Sequence, residues 1–172
     1  MAKSSTTANR PVVAWLFILA GALFLLYLLI HLAVPHLVST WFFFFADAAL
    51  AIAFLFLFIG RSKSLILRAA WIVGAVGWAI LAIENVAGLG SVVSILGIIL
   101  ALVGSLVAGI LVFLRHVFNR RADLAFLLAM IFVALDLLQA WTGFLPGVID
   151  LIVVIVYSVL LVVTGVVLQR RR

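Results

Sequence analysis

Charged residues are scarce in this sequence and cysteine is absent, and both shortages narrow the class of protein. Of the 172 residues, 9% are charged and 69% are hydrophobic, and the mean hydropathy is +1.51. A soluble domain is about half apolar and about a quarter charged, which excludes water-soluble enzymes and free nucleic-acid-binding proteins. The absence of cysteine excludes disulfides, thiol catalysis, iron–sulfur clusters and cysteine-ligated zinc. The sequence therefore predicts an integral membrane protein whose main partner is the lipid bilayer, with no nucleic-acid partner.

Proline is also rare, with three residues in the chain, and long apolar runs separate the breaks. A membrane-spanning helix needs about 20 mostly apolar residues. Six segments meet this requirement, whereas the alternating pattern of a membrane β-barrel is absent. Their approximate bounds are 11–34, 41–60, 67–87, 91–114, 124–144 and 147–168. We predict an all-α integral membrane protein in which six transmembrane helices form three hairpins, with tails at 1–10 and 169–172.

Basic residues are missing from three of the predicted loops. All 11 Lys and Arg residues lie near the N-terminus, around the loops that follow the second and fourth spans, or at the C-terminus. Loops that carry Lys and Arg stay in the cytoplasm. This distribution predicts that both termini are cytoplasmic and that the protein lies in the cytoplasmic membrane.

The basic residues also recur about every 50 residues, once per hairpin. An internal triplication explains this period. The alternative is that any chain of membrane hairpins looks periodic when basic residues mark its inner turns.

Pro35 and Pro146 lie in predicted outer turns, while basic residues lie at the inner turns. With this layout the chain resembles the HdeD family of six-span acid-resistance membrane proteins. The resemblance covers the whole chain but rests on layout and on no specific motif. It implies a stress-related, non-enzymatic membrane protein with no catalytic residues to carry over. The vitamin-binding subunits of energy-coupling factor transporters are similar in size and span count, but the sequence contains no ligand motif that favours them.

Small residues recur at four-residue spacing in the fourth span, at Gly97, Ala101, Ser105 and Gly109. This spacing places them on one face of a helix, where a second helix can approach closely. The second helix belongs either to the same chain or to another copy, and the sequence leaves both alternatives open.

Acidic residues number only five, and most lie within the predicted spans or at their outer ends. At 1.5 Å per residue, Asp47, Glu84 and Asp136 share a depth of about 21–24 Å from the basic end of the spans. An ionisable residue at this depth indicates a functional site, and no Lys or Arg is predicted nearby. Our hypothesis is a cation or proton site that opens outward. The alternative is three separate carboxyl groups that fix helix packing, with Asn85 and Gln139 as hydrogen-bond partners.

His31, His36 and Asp150 are predicted to lie at the outer interface. Haem bound by two histidines is disfavoured because His31 and His36 lie near one helix end. A divalent metal held by His31 and Asp150 is a geometric alternative. Neither pattern is strong enough to predict a cofactor or a metal site.

No catalytic motif of a metalloprotease, serine hydrolase or nucleotide-binding protein occurs in the sequence. The sequence therefore favours a non-enzymatic structural or accessory membrane protein that associates with itself as a homo-oligomer or with other membrane subunits. A second prediction is a small transporter or channel that uses the outward carboxylates. A third is the solute-binding subunit of a multi-component transporter.

Overall fold

The computed structural model describes residues 10–34, 40–60, 64–144 and 146–170. Within these ranges the secondary structure consists of six α-helices and no strand. They are α1 (Arg10–Ala33), α2 (Trp41–Ile59), α3 (Leu65–Ala87), α4 (Ser91–Arg115), α5 (Arg120–Thr142) and α6 (Gly147–Gln169). All six are long and apolar enough to cross a membrane. The predicted fold class, an all-α bundle of six membrane-spanning helices, is confirmed.

Two helices begin at least two residues earlier than the apolar pattern suggested. Helix α3 starts at Leu65 because the hydroxyl of Ser64 accepts a hydrogen bond from the backbone N–H of Leu67 at 3.3 Å. Helix α5 starts at Arg120 because the Asn119 side chain accepts from two backbone N–H groups, each at 3.1 Å. Hydropathy detects only the apolar part of a helix, whereas capping side chains fix where the helix starts.

The short connection between α3 and α4 depends on glycine. Gly88 and Gly90 have φ angles of +59° and +96°, which L-residues with a side chain rarely adopt. A side chain at either position would meet no neighbouring atom within 4 Å. These glycines are therefore required by the backbone conformation of the turn and not by lack of space.

The helices form a closed ring in chain order. Each helix packs against the one before it and the one after it, and α6 packs back against α1. Because successive helices of the ring run in opposite directions, the C-terminal ends of α1, α3 and α5 lie at the same side of the bundle. We call this side the acidic end, because Asp47, Glu84, Asp136 and Asp150 lie towards it. The basic end is the opposite side, where the described arginines Arg68, Arg115, Arg120, Arg121 and Arg170 lie.

The interior and the exterior of the bundle differ in side-chain size. Alanine is frequent among the buried residues, whereas the exposed residues include many large aliphatic side chains. For example, Leu65, Val92 and Val148 are each more than 70% exposed. An apolar exterior of this extent is stable in lipid and not in water. The protein is therefore a multi-pass membrane protein.

Close backbone approach holds α3 to α4. A Cβ atom added at Gly104 would collide with the backbone of Gly74, and one added at Gly77 would collide with the backbone of Ala101. Small residues allow this approach, which replaces the missing hydrophobic driving force with van der Waals contact.

The predicted small-residue stripe of α4 is used inside the chain. Besides Ala101, Gly97 also lies against α3, and the hydroxyl of Ser105 accepts a 3.1 Å hydrogen bond from the indole N–H of Trp78. Gly109 lies against Met130 of α5. The sequence left open whether the stripe packs against a helix of the same chain or of another copy. These contacts are all within one chain.

Candidate functional site

A cavity of about 210 Å³ lies at the acidic end between α1, α2, α3, α4 and α5. Its polar lining consists of Asp47, Glu84, Asn85, Ser94 and Asp136. Its apolar lining consists of Phe24, Phe43, Trp78, Leu81, Ile98, Leu137 and Ala140. Because Ala140 is exposed and Glu84 is only half-buried, the cavity is accessible from outside the bundle.

The three carboxylates that the sequence placed at one depth all line this cavity. Asp47 comes from α2, Glu84 from α3 and Asp136 from α5. Asp47 is 4% exposed, whereas the other two carboxylates are half-buried. Asp47 and Asp136 are close enough to interact electrostatically. The helix order of the ring therefore brings together groups that are far apart in sequence.

Asn85 connects two of the helices that line the cavity. Its side-chain N–H donates a 2.9 Å hydrogen bond to a carboxylate oxygen of Asp47. The sequence had suggested Asn85 as a partner of Glu84, its neighbour in the chain. Adjacent residues of a helix point in directions about 100° apart, so Asn85 reaches across to α2 instead.

Tyr157 is the second partner of the acidic residues. It is 2% exposed, and its hydroxyl donates a hydrogen bond to the carboxylate of Asp136. Tyr157 is not among the site residues predicted from the sequence. Its spacing could have identified it, because Tyr157 lies seven residues after Asp150, on the same face of α6.

Asp150 lies beside the cavity and does not line it. It is half-buried in the first turn of α6, within electrostatic range of Asp136. One of its carboxylate oxygens is buried and has no hydrogen-bond partner among the described residues. The acidic end therefore gathers carboxyl groups from α2, α3, α5 and α6.

Among the described residues, no histidine lines the cavity. His31 is exposed, and its ring stacks on Tyr27 with 5.8 Å between the centroids. His36 lies outside the described residues. In the described ranges, no group of three His, Asp or Glu side chains is arranged to hold a metal ion.

Positive side chains are absent from the described lining of the cavity. The described arginines lie at the basic end, on the other side of the bundle. Asn85 supplies a hydrogen-bond donor to Asp47, and Tyr157 supplies one to Asp136.

A layer of aromatic rings fills the bundle between the cavity and the basic end. Phe17, Phe54, Trp71 and Phe126 come from α1, α2, α3 and α5, and none is more than 1% exposed. Phe126 is central, with ring centroids at 5.5 Å from Phe17, 6.3 Å from Phe54 and 5.8 Å from Trp71. Phe54 lies seven residues beyond Asp47, about 10 Å along α2. We call this set the aromatic layer; its rings pack together in the bundle interior beneath the cavity.

Comparison with known proteins identifies no relative: no family model matches the chain, and neither a curated protein nor a solved structure matches it.

Proposed function

We propose that the protein is a small membrane transporter that binds a cation in the cavity at the acidic end. The observation that carries the proposal is that Asp47, Glu84 and Asp136, from three different helices, line one accessible cavity. The lining of one cavity by all three carboxylates favours a shared site over three separate packing groups.

Electrostatics supports a cation as the ligand. Carboxylates within a membrane span are energetically expensive and are found where they face a cavity, an ion pathway or a partner of opposite charge. The described lining contains no basic side chain, so a bound cation is the group that would balance the negative charge.

The aromatic layer favours a transporter over an open channel. The cavity is accessible at one end, and the buried rings around Phe126 close the other. Release of a ligand at the basic end then requires a change in helix packing, as in alternating access.

Orientation is part of the proposal. Because loops that carry Lys and Arg remain in the cytoplasm, we place the basic end in the cytoplasm and the cavity on the outer side of a cytoplasmic membrane. Both termini then lie inside.

The proposed function is non-enzymatic. The structural or accessory function that the sequence favoured stays a prediction, as do a solute-binding subunit, a stress-related function and the HdeD resemblance. Helix packing within the chain now accounts for the small-residue stripe that favoured self-association.

Solid-supported-membrane electrophysiology tests the proposal without a known substrate. Proteoliposomes are exposed in turn to steps of H⁺, Na⁺, K⁺, Mg²⁺ and n-butylammonium, and the transient current is recorded. We expect a current for at least one of these cations. At an effective dielectric constant near 20, a charge pair at 4 Å contributes about 4 kcal/mol, so Glu84→Gln or Asp136→Asn should reduce apparent affinity at least about 10-fold.

Asp150→Asn is the matched control, because it removes the same charge from a residue beside the cavity that does not line it. Its effect should be smaller than that of Asp136→Asn. Circular dichroism and size-exclusion chromatography verify that each variant is folded. No current for any cation with folded wild-type protein, or equal currents in wild type and Asp136→Asn, would overturn the proposal.

A further inference from the structure

The apolar side chains of the cavity narrow the chemical class of the ligand further than the carboxylates alone do. Phe24, Phe43 and Trp78 supply three aromatic side chains from three helices, and they face the same space as the carboxylates. Aromatic rings bind organic ammonium ions through cation–π attraction, and they also provide apolar contact for the carbon atoms of such a ligand. A hydrated inorganic ion makes no apolar contact that would need three aromatic rings.

The size of the cavity points in the same direction. Its volume of about 210 Å³ exceeds the share of one water molecule, about 30 Å³, roughly sevenfold. It falls below the range of about 300–1,000 Å³ that is typical of sites for drug-sized ligands. A bare metal ion would leave most of this volume to water, whereas an ion with a short carbon chain would occupy a much larger share of it.

The placement of the acidic groups also argues against a metal. Ca²⁺ needs six to eight oxygen ligands at about 2.3–2.6 Å. The described His, Asp and Glu residues contain no group of three arranged to hold a metal ion, although three carboxylates line the cavity. The three carboxylates therefore lie at separate places in the cavity wall and do not surround a single point. This arrangement suits a ligand of several atoms.

We propose that the ligand is a small organic ammonium ion with a short apolar chain. The ammonium group is placed against Glu84 and Asp136, the half-buried carboxylates, while Phe24, Phe43 and Trp78 contact both the ammonium group and the carbon atoms. Asp47 is 4% exposed and accepts a hydrogen bond from Asn85, so it is the least accessible of the three carboxylates. This inference rests on the proposed function, because it names the class of cation that the same cavity binds.

Isothermal titration calorimetry with the purified full-length chain tests the inference independently of transport. The probes are n-butylammonium, the neutral analogue 1-pentanol, K⁺ and Mg²⁺. We expect n-butylammonium to bind and to be displaced poorly by equal concentrations of K⁺ or Mg²⁺. We expect 1-pentanol to bind at least about 10-fold more weakly, because it lacks the charge.

Phe43→Leu is the diagnostic variant, and Phe45→Leu is its matched control. Both residues lie in α2, but Phe43 lines the cavity whereas Phe45 is 52% exposed and does not line it. Loss of one cation–π contact should weaken n-butylammonium binding about 2- to 30-fold in Phe43→Leu. Phe45→Leu should bind as wild type does. Phe24→Leu repeats the test if Phe43→Leu is unfolded.

Each outcome separates the inference from the function on which it rests. Binding of K⁺ or Mg²⁺ as tight as that of n-butylammonium, or an unchanged affinity in Phe43→Leu and Phe24→Leu, would overturn the organic ligand and leave a cation site. Equal binding of 1-pentanol that persists in Asp136→Asn would overturn both. Binding of n-butylammonium without any current in proteoliposomes would support the ligand class and overturn transport.

Discussion

The side chain of Asn85 on α3 donates a 2.9 Å hydrogen bond to the buried carboxylate of Asp47 on α2. The bond crosses between two helices at the wall of the cavity. It holds one of the three carboxylates in place and satisfies one oxygen atom of a side chain that is 4% exposed. This pair therefore connects the stability of the bundle with the geometry of the candidate site.

Replacing Asn85 with leucine should destabilise the fold. Interhelical hydrogen bonds in membranes contribute about 0.6 kcal/mol on average and at most about 1.7 kcal/mol. We expect a value in the upper half of this range, because the acceptor is a buried carboxylate. The measurement is a double-mutant cycle of Asn85→Leu with Asp47→Leu, with the free energy of unfolding determined in bicelles. Additivity within about 0.3 kcal/mol would contradict the coupling.

Replacing Gly104 with alanine should separate α3 from α4. The added methyl group would meet the backbone of Gly74, which cannot rotate away as a flexible side chain could. Overpacking of this kind costs about 1–3 kcal/mol of unfolding free energy. Thermal unfolding in detergent measures the loss. Gly147→Ala is the matched control, because nothing lies within 4 Å of its added methyl group; similar losses in both variants would show that backbone contact is not the cause.

Truncating Phe126 to alanine should open the aromatic layer. The ring packs against rings from α1, α2 and α3, and its removal leaves a cavity in the interior. We expect a loss of about 3–5 kcal/mol in stability, together with a faster proton leak in liposomes that contain a pH-sensitive dye. If the alanine variant is unfolded, Phe126→Leu provides a milder test.

The control for the leak is Leu128→Ala, which removes an exposed side chain from the same helix. The proton leak of liposomes that contain this variant should equal that of liposomes that contain the wild type. A folded Phe126→Ala variant with an unchanged leak would mean that the aromatic layer is not the barrier between the cavity and the basic end.

Cysteine labelling should establish the orientation, because the chain has no cysteine of its own and each introduced thiol is therefore unique. Phe144, near the acidic end, and Arg120, at the basic end, are both exposed. In intact bacterial cells, a membrane-impermeant maleimide should label Phe144→Cys and should label Arg120→Cys only after lysis. The reverse pattern would place the cavity on the cytoplasmic side.

The sequence by itself determined the solvent, the fold class and the depth of the acidic groups. With 69% hydrophobic residues, the chain has more apolar surface than a soluble fold of this size can bury. The common depth of Asp47, Glu84 and Asp136 followed from the fixed rise of a helix. Helix ends were less predictable, because Ser64 and Asn119 act through single hydrogen bonds that hydropathy does not register.

Only the tertiary structure decided which side chains meet. Depth is a coordinate along a helix, whereas the direction of a side chain in the membrane plane depends on helix order and on rotation about each helix axis. Contacts such as that between Gly74 and Gly104 set this rotation. They bring three acidic residues to one cavity, direct Asn85 to Asp47 and place Phe43 beside the same space. Helical periodicity identifies the residues on one face of a helix, but packing decides what that face meets.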